Sequence, residues 1–141
     1  MSFHKTFTVY GQAVPKGRAR VVRSGGFVHA FTPKKTVDWE SSVAGQALQH
    51  KPEQLLTGAI KLGIKFYKSP LKSFSKDKRE KALSGELRPS TRPDLDNLVK
   101  GVKDSLNGIM WQDDSQVIEY IVGTGKYFGD PPRVEIEVYE I

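Results

Sequence analysis

Hydrophobic positions along this chain recur with two different periods, and the switches between them mark out its elements. In GAIKLGIKFYK (58–68), Ile60, Leu62, Ile64 and Phe66 alternate with Lys61, Lys65 and Tyr67. Period two is the spacing of one strand face, so a half-buried strand is predicted there. RVEIEVYEI repeats the pattern near the C-terminus, with Val134, Ile136 and Val138 turned inward. FTVYGQAV (7–14) reads as a first strand closed by Pro15. In RARVVRSGGFVHAFTP two short apolar runs meet at Ser24-Gly25-Gly26, a turn that tolerates positive φ, which predicts a hairpin. SQVIEYIVGTGKYF is apolar at both parities before Gly123, the mark of a strand central in its sheet.

Helical spacing takes over elsewhere. TPKKTVDWESSVAGQALQH opens with Thr32 as N-cap and Pro33 at the first helical position. Val37, Val43, Ala44, Ala47 and Leu48 form its stripe, and the helix should stop before Pro52. Phe7, Phe66 and Trp39 are assigned to the core, and Trp111 either to the core or to a contact between subunits. In DLDNLVKGVKDSLNG, Leu95, Leu98, Val102 and Leu106 fall at i, i+3, i+7 and i+11, and Asn107-Gly108 closes the helix. The stretch from 69 to 93 is polar, basic and turn-rich, and is expected to be the mobile segment. Ser75 can cap a short helix there, ending near Gly85. These elements predict an α+β fold: a single domain over 1–141, with one mixed β-sheet packed by helices.

Composition excludes several classes. Hydrophobic residues make up 38% and charged residues 27%, which suits a globular domain. No apolar run approaches the roughly 20 residues of a membrane span, and the first residues carry no signal-peptide pattern. There are no cysteines, so thiolate metal sites and disulfides are ruled out. A cytoplasmic protein is expected. The net charge is +6, unevenly spread. Residues 1–90 hold 17 Lys and Arg against 6 Asp and Glu; residues 91–141 hold 5 against 10. A basic body with an acidic C-terminal third suggests a polyanion-binding surface around a carboxylate cluster.

The acidic residues are concentrated in TRPDLDNLVK (91–100). If the chain stays extended through Asp94, Asp94 and Asp96 share a side, and Lys100 follows one turn up the helix. Two explanations stand: the aspartates cap the helix and favour its dipole, or they hold a cation. WQDDSQV adds Asp113 and Asp114 just before the next strand, and at most one of that pair should meet Asp94 and Asp96. Carboxylates gathered at one point repel unless a cation offsets them. With no cysteine, and with His4, His29 and His50 far upstream, a hard divalent ion such as Mg²⁺ is the natural guest.

The pattern RPDLDNLVK, then DSLNG, then WQDDSQV and a later lysine resembles the RusA-type Holliday-junction resolvases, small bacterial and prophage endodeoxyribonucleases. The core of the resemblance spans 92–126, and VPKGRARV and FTPKKTVDWE resemble the phage-type branch. The resemblance implies a homodimer, bacterial or phage-encoded, that nicks four-way DNA junctions symmetrically using Mg²⁺, with Mn²⁺ as a substitute. It implies Asp94, Asp96 and Asp114 as catalytic metal ligands and Lys100 as a catalytic lysine. Asn97, Asp104, Asp113 and Lys126 also fit the pattern. The segment 69–90 and PKGRAR depart from the best-known member.

For DNA contact the expected residues are Lys16, Arg18, Arg20, Arg23, Lys34, Lys35, Arg92 and Lys126. Positions 16, 18 and 20 would share one face if extended, a ladder suited to phosphates or to a solvated edge. Lys34 and Lys35 sit in a helix first turn, where cations are mildly unfavourable and an outside anion would suit them. The alternatives are a nuclease for flaps or other branched DNA, and a DNA-binding module without catalysis. A nucleotide-processing enzyme is disfavoured by the lack of a Gly-rich phosphate loop.

Overall fold

The computed structural model describes residues 3–16 and 20–141, with the side chains of 20–24 and 27–31 outside that description. The elements run β1 (His4–Tyr10), β2 (Arg20–Ser24), β3 (Phe27–Phe31), α1 (Lys34–Ala47), β4 (Ile60–Lys68), α2 (Lys76–Ser84), α3 (Leu95–Leu106), β5 (Val117–Tyr120), β6 (Gly125–Phe128) and β7 (Arg133–Glu140). β2 and β3 form the expected hairpin, which stands as a two-stranded sheet of its own, with Gly25 and Gly26 both at positive φ in its turn. Among the described residues, no helix is long and apolar enough to cross a membrane.

Five strands make one mixed sheet, in the α+β arrangement expected. β7 lies between β1 and β4 and is antiparallel to both. β4 is flanked on its other side by β5 and then by β6, each parallel to it. Ile60, Leu62, Ile64 and Phe66 of β4 and Val134, Ile136 and Val138 of β7 are buried on one sheet face. α1 and α3 cover that face, and the core closes between Trp39, Val43 and Ala47 of α1 and Leu98, Val102 and Leu106 of α3. The helices thus form a single layer, and the second sheet face is left to residues such as Lys65 and Glu135.

Four expectations need correction. α1 starts at Lys34 with Pro33, not Thr32, at its N-cap and no side-chain capping bond. The single central strand over SQVIEYIVGTGKYF is instead two short strands at the sheet edge, broken at Ile121–Thr124. Gly123 adopts φ 101° there, a conformation that favours glycine. Thr124 bridges the break: its hydroxyl accepts from the Ile64 N–H at 3.2 Å and donates to the Ile121 carbonyl at 2.8 Å. In α1 the buried positions are Thr36, Trp39, Val43 and Ala47, whereas Val37 and Leu48 are exposed. Trp39 anchors the stripe and rotates it from the expected face. β1 begins at His4, because the β7 ladder pairs it from His4 with Tyr139 to Tyr10 with Arg133.

The basic segment is ordered around α2. The Ser75 side chain accepts from the Lys78 N–H at 3.2 Å, and Gly85 ends the helix at φ 87°. Arg79 pairs with Asp130 at 2.9 Å, and Phe74 packs edge-on against Phe128 of β6.

Candidate active site at the start of the third helix

α3 presents two chemistries because its sequence has two faces. Leu98, Val99, Val102 and Leu106 face the core, while Asp96 and Lys100 are exposed. Gly101 lies where the 11–16 loop crosses the helix: a Cβ there would meet the Val14 carbonyl oxygen at 3.6 Å. The Lys16 backbone N–H donates to the Asn97 carbonyl at 2.9 Å, tying that loop across the helix start.

Asp94 occupies the N-cap position with extended backbone (φ −67°, ψ 140°). Its carboxylate makes no capping hydrogen bond. Asp96 accepts from the neighbouring Asn97 N–H, at 3.1 Å. Both carboxylates are exposed, and among the described residues neither has a cationic partner within ion-pair distance. The capping explanation therefore does not describe what these side chains do.

Lys100 is held tightly. Its ammonium donates to Asp104 Oδ1 at 2.9 Å and to Asp114 Oδ2 at 2.7 Å. Those bonds, to Asp104 first and Asp114 second, push its pKa well above the ordinary lysine value. Asp104 is shared, because its Oδ2 lies 3.3 Å from the Lys16 ammonium. Lys16 also donates to both oxygens of Glu40, at 2.8 and 3.2 Å, and that bond to Glu40 is the main cause of its raised pKa. A chain of alternating charge thus runs Glu40–Lys16–Asp104–Lys100–Asp114.

Asp113 and Asp114 divide their roles, though at a 3₁₀ turn rather than on the strand that the opposite-face argument assumed. Asp113 caps the 3₁₀ turn Asp114–Gln116, accepting from the Ser115 N–H at 3.0 Å. Hydrogen bonding from Ser115 holds its carboxyl below the usual aspartate range. Gln116 completes the box: its Oε1 accepts from Asp113 N–H at 3.0 Å, and its Nε2 donates to the Leu56 and Gly58 carbonyls. Of these two aspartates, Asp114 is the one that pairs with Lys100.

The other expected residues are spread out. The Lys126 ammonium donates to the carbonyls of Thr91 (2.6 Å) and Pro93 (2.9 Å), immediately before Asp94. Its own carbonyl accepts from Arg88 Nε at 2.6 Å, and the Arg88 guanidinium stacks 3.6 Å from the Tyr127 ring centre. Arg92 and Lys35 are exposed, and Lys34 lies 3.4 Å from Asp38 one turn on. Arg18 lies outside the described residues, as do the side chains of Arg20 and Arg23. Trp111 is fully buried, with its Nε1 donating to Asn107 Oδ1 at 2.8 Å, so it belongs to the core.

Among the described residues, no three His, Asp or Glu side chains are gathered closely enough to hold a metal ion. Asp94 and Asp96 lie at the start of α3, while Asp114 reaches that helix at Lys100. Sequence reasoning missed the internal role of Lys16 and its partner Glu40. Asp104 was legible as the i+4 partner of Lys100; nothing in the spacing links Glu40 to Lys16.

The family model described as Endodeoxyribonuclease RusA matches residues 11–139, and the chain belongs to that family. Its activity class is accordingly that of a Holliday-junction resolvase nuclease, and branched DNA is its substrate class. The chain is also similar to the uncharacterized protein YqaN of Bacillus subtilis (strain 168), with 45% identity over 137 residues, spanning 96% of this chain and 95% of that protein.

Proposed function

We propose that this chain is a Mg²⁺-dependent endodeoxyribonuclease that resolves four-way junctions by paired symmetric nicks, acting as a homodimer. The observation that carries this reading is the pair of uncapped, exposed carboxylates at Asp94 and Asp96, one turn from a lysine fixed by Asp104 and Asp114. Among the described residues these two aspartates have no cationic partner and Asp94 makes no capping bond, which suits them to another ligand.

The donor chemistry fits a hard divalent cation, since every candidate ligand is a carboxylate oxygen. Asp94, Asp96 and Asp114 would hold it. Asp114 uses Oδ2 for Lys100, which leaves Oδ1 to face a cation. When bound, the ion would supply charge neutralisation at the scissile phosphate and a more acidic water.

The chain's own residues do the rest. Lys100 carries its charge at every physiological pH and cannot swing freely, because two carboxylates hold it. A fixed cation beside the phosphate favours the extra negative charge that develops as the phosphodiester is attacked. Asp104 keeps Lys100 in place. Lys126 keeps Thr91 and Pro93, and with them Asp94, in position. The exposed cations Arg92, Lys34 and Lys35 are available to phosphates flanking the cut.

Asp94→Asn tests the division of labour. Cleavage of a synthetic junction should be lost while binding is kept, because the change removes a ligand and a repulsive charge together. Loss of binding in that variant would count against it.

A further inference from the structure

We propose that the cleft between the start of α2 and the run 87–91 is a binding site for an unpaired DNA strand, which passes over it toward Asp94. Branched DNA is the substrate class of the family; that the strand goes on to Asp94 rests on the reading above.

α2 does little for the core. Of its residues Ala82 alone is buried. It is nevertheless fixed in place. Ser75 caps it, Phe74 just before it packs edge-on against Phe128, and Arg79 pairs with Asp130. What α2 adds to the molecule is therefore surface, and that surface is basic. Residues 68–92 hold 8 Lys and Arg against 3 Asp and Glu, which is most of the net charge of the chain.

The cations are not spent alike. Arg79 pairs with Asp130 and Lys81 with Asp77. Lys68, Lys78 and Arg88 have no carboxylate partner among the described residues, and all three line one cleft of about 220 Å³. No carboxylate lines it among those residues. Its floor is apolar, from Phe74, Phe128 and Pro89. Two of the cations are held against aromatic rings rather than against acids. Lys78 Nζ lies 4.5 Å from the Phe74 ring centre, and the Arg88 guanidinium 3.6 Å from that of Tyr127. Such a contact orients a cation without neutralising it.

An apolar aromatic floor rimmed by unpaired cations suits a single nucleic-acid strand: phosphates meet the cations and a base lies on the floor. A duplex presents phosphates alone and would leave the floor unused. At a branch point the stack of bases is interrupted, so an unpaired nucleotide is available there. The position of the cleft agrees. It ends at Ser90 and Thr91, and Lys126 binds the Thr91 and Pro93 carbonyls immediately before Asp94.

Fluorescence anisotropy in EDTA, with a labelled oligo-dT and a duplex of the same length, tests this. Lys68→Gln/Lys78→Gln should weaken oligo-dT binding about 10-fold and lower its salt slope by about 1.4, the value for two single-strand phosphates. Lys72→Gln/Lys76→Gln removes the same charge from the same segment outside the cleft and should do markedly less. Phe74→Leu keeps an apolar side chain but removes the ring. It should weaken oligo-dT about 5-fold or more and leave duplex affinity unchanged, since stacking is open to an unpaired base only. Leu71 lines the cleft and is 50% exposed, so Leu71→Glu brings in a carboxylate without disturbing the fold; it too should weaken oligo-dT. Equal losses from the two lysine pairs would mean a diffuse basic face. Wild-type binding by Phe74→Leu or by Leu71→Glu would mean that no strand enters the cleft. Either result overturns the proposal. Junction cleavage with Mg²⁺ is scored separately. A chain that cuts junctions while oligo-dT binding ignores the cleft variants overturns the cleft and leaves the nuclease reading standing; binding that follows the cleft in a chain that cuts no DNA does the reverse.

Discussion

Lys100 Nζ lies 2.7 Å from Asp114 Oδ2, joining the exposed face of α3 to the turn that leads into β5. Asp114 thus fixes the lysine, and in the reading proposed above its second oxygen would serve the cation. Asp114→Asn should lower the rate of junction cleavage by about 100-fold or more, on the scale of losing an oriented charged group. Its stability should change little, since Lys100 is half-exposed and such pairs contribute about 0–1 kcal/mol. Single-turnover cleavage and urea unfolding of the same variant check the two halves.

The raised pKa of Lys100 has a defined consequence for pH. The folded value lies above the ordinary 10.5, so the pairing stabilises in full below pH 10.5 and fades as pH rises through the raised value. The stability difference between wild type and Lys100→Met should therefore be constant from pH 6 to pH 9 and shrink only in strong alkali. Urea titrations across that range measure it. Cleavage between pH 6 and 9 should carry no limb from this lysine.

Lys126 is expected to position rather than to bind DNA, because its ammonium is taken up by the Thr91 and Pro93 carbonyls. Lys126→Met should slow cleavage by about 10- to 100-fold, as the loss of a supporting contact does. A phosphate-contacting lysine would instead reduce the salt slope of binding by about 1. Junction affinity measured at several salt concentrations separates these outcomes; a reduced slope returns Lys126 to the DNA-contact set.

Trp111 is a core residue with one polar obligation. Trp111→Phe leaves Asn107 Oδ1 without its donor and should cost about 1–3 kcal/mol. Trp111→Ala should cost about 3–5 kcal/mol, since the side chain is fully buried. Chemical denaturation measures both, and near-equal losses would mean the pocket collapses around the smaller side chain.

The parts of the fold that could be read in advance were those in which pattern and packing agree. β4 and β7 alternate cleanly because one face is buried and the other is not. α3 was legible for the same reason. The β5–β6 stretch misled because its apolar residues at both parities do not fill a sheet interior. Ile118, Tyr120 and Val122 are exposed, so an apolar run reads like a buried strand although it lies at the sheet edge. α1 misled because one large side chain, Trp39, outweighs several smaller ones in setting the buried stripe. At the site, the aspartates and Lys100 were visible as spacing along one helix. The link from Lys16 through Asp104 to Lys100 was not, because it depends on how the 11–16 loop crosses α3.

The most direct test is single-turnover cleavage of a synthetic four-way junction beside a linear duplex, with Mg²⁺ or with EDTA, by wild type and Asp96→Asn. Paired symmetric nicks are expected in the junction alone, dependent on Mg²⁺, and absent from Asp96→Asn, which should still bind the junction. Cleavage by Asp96→Asn at the wild-type rate, or cleavage that persists in EDTA, would contradict the assignment of Asp94, Asp96 and Lys100 as the active site.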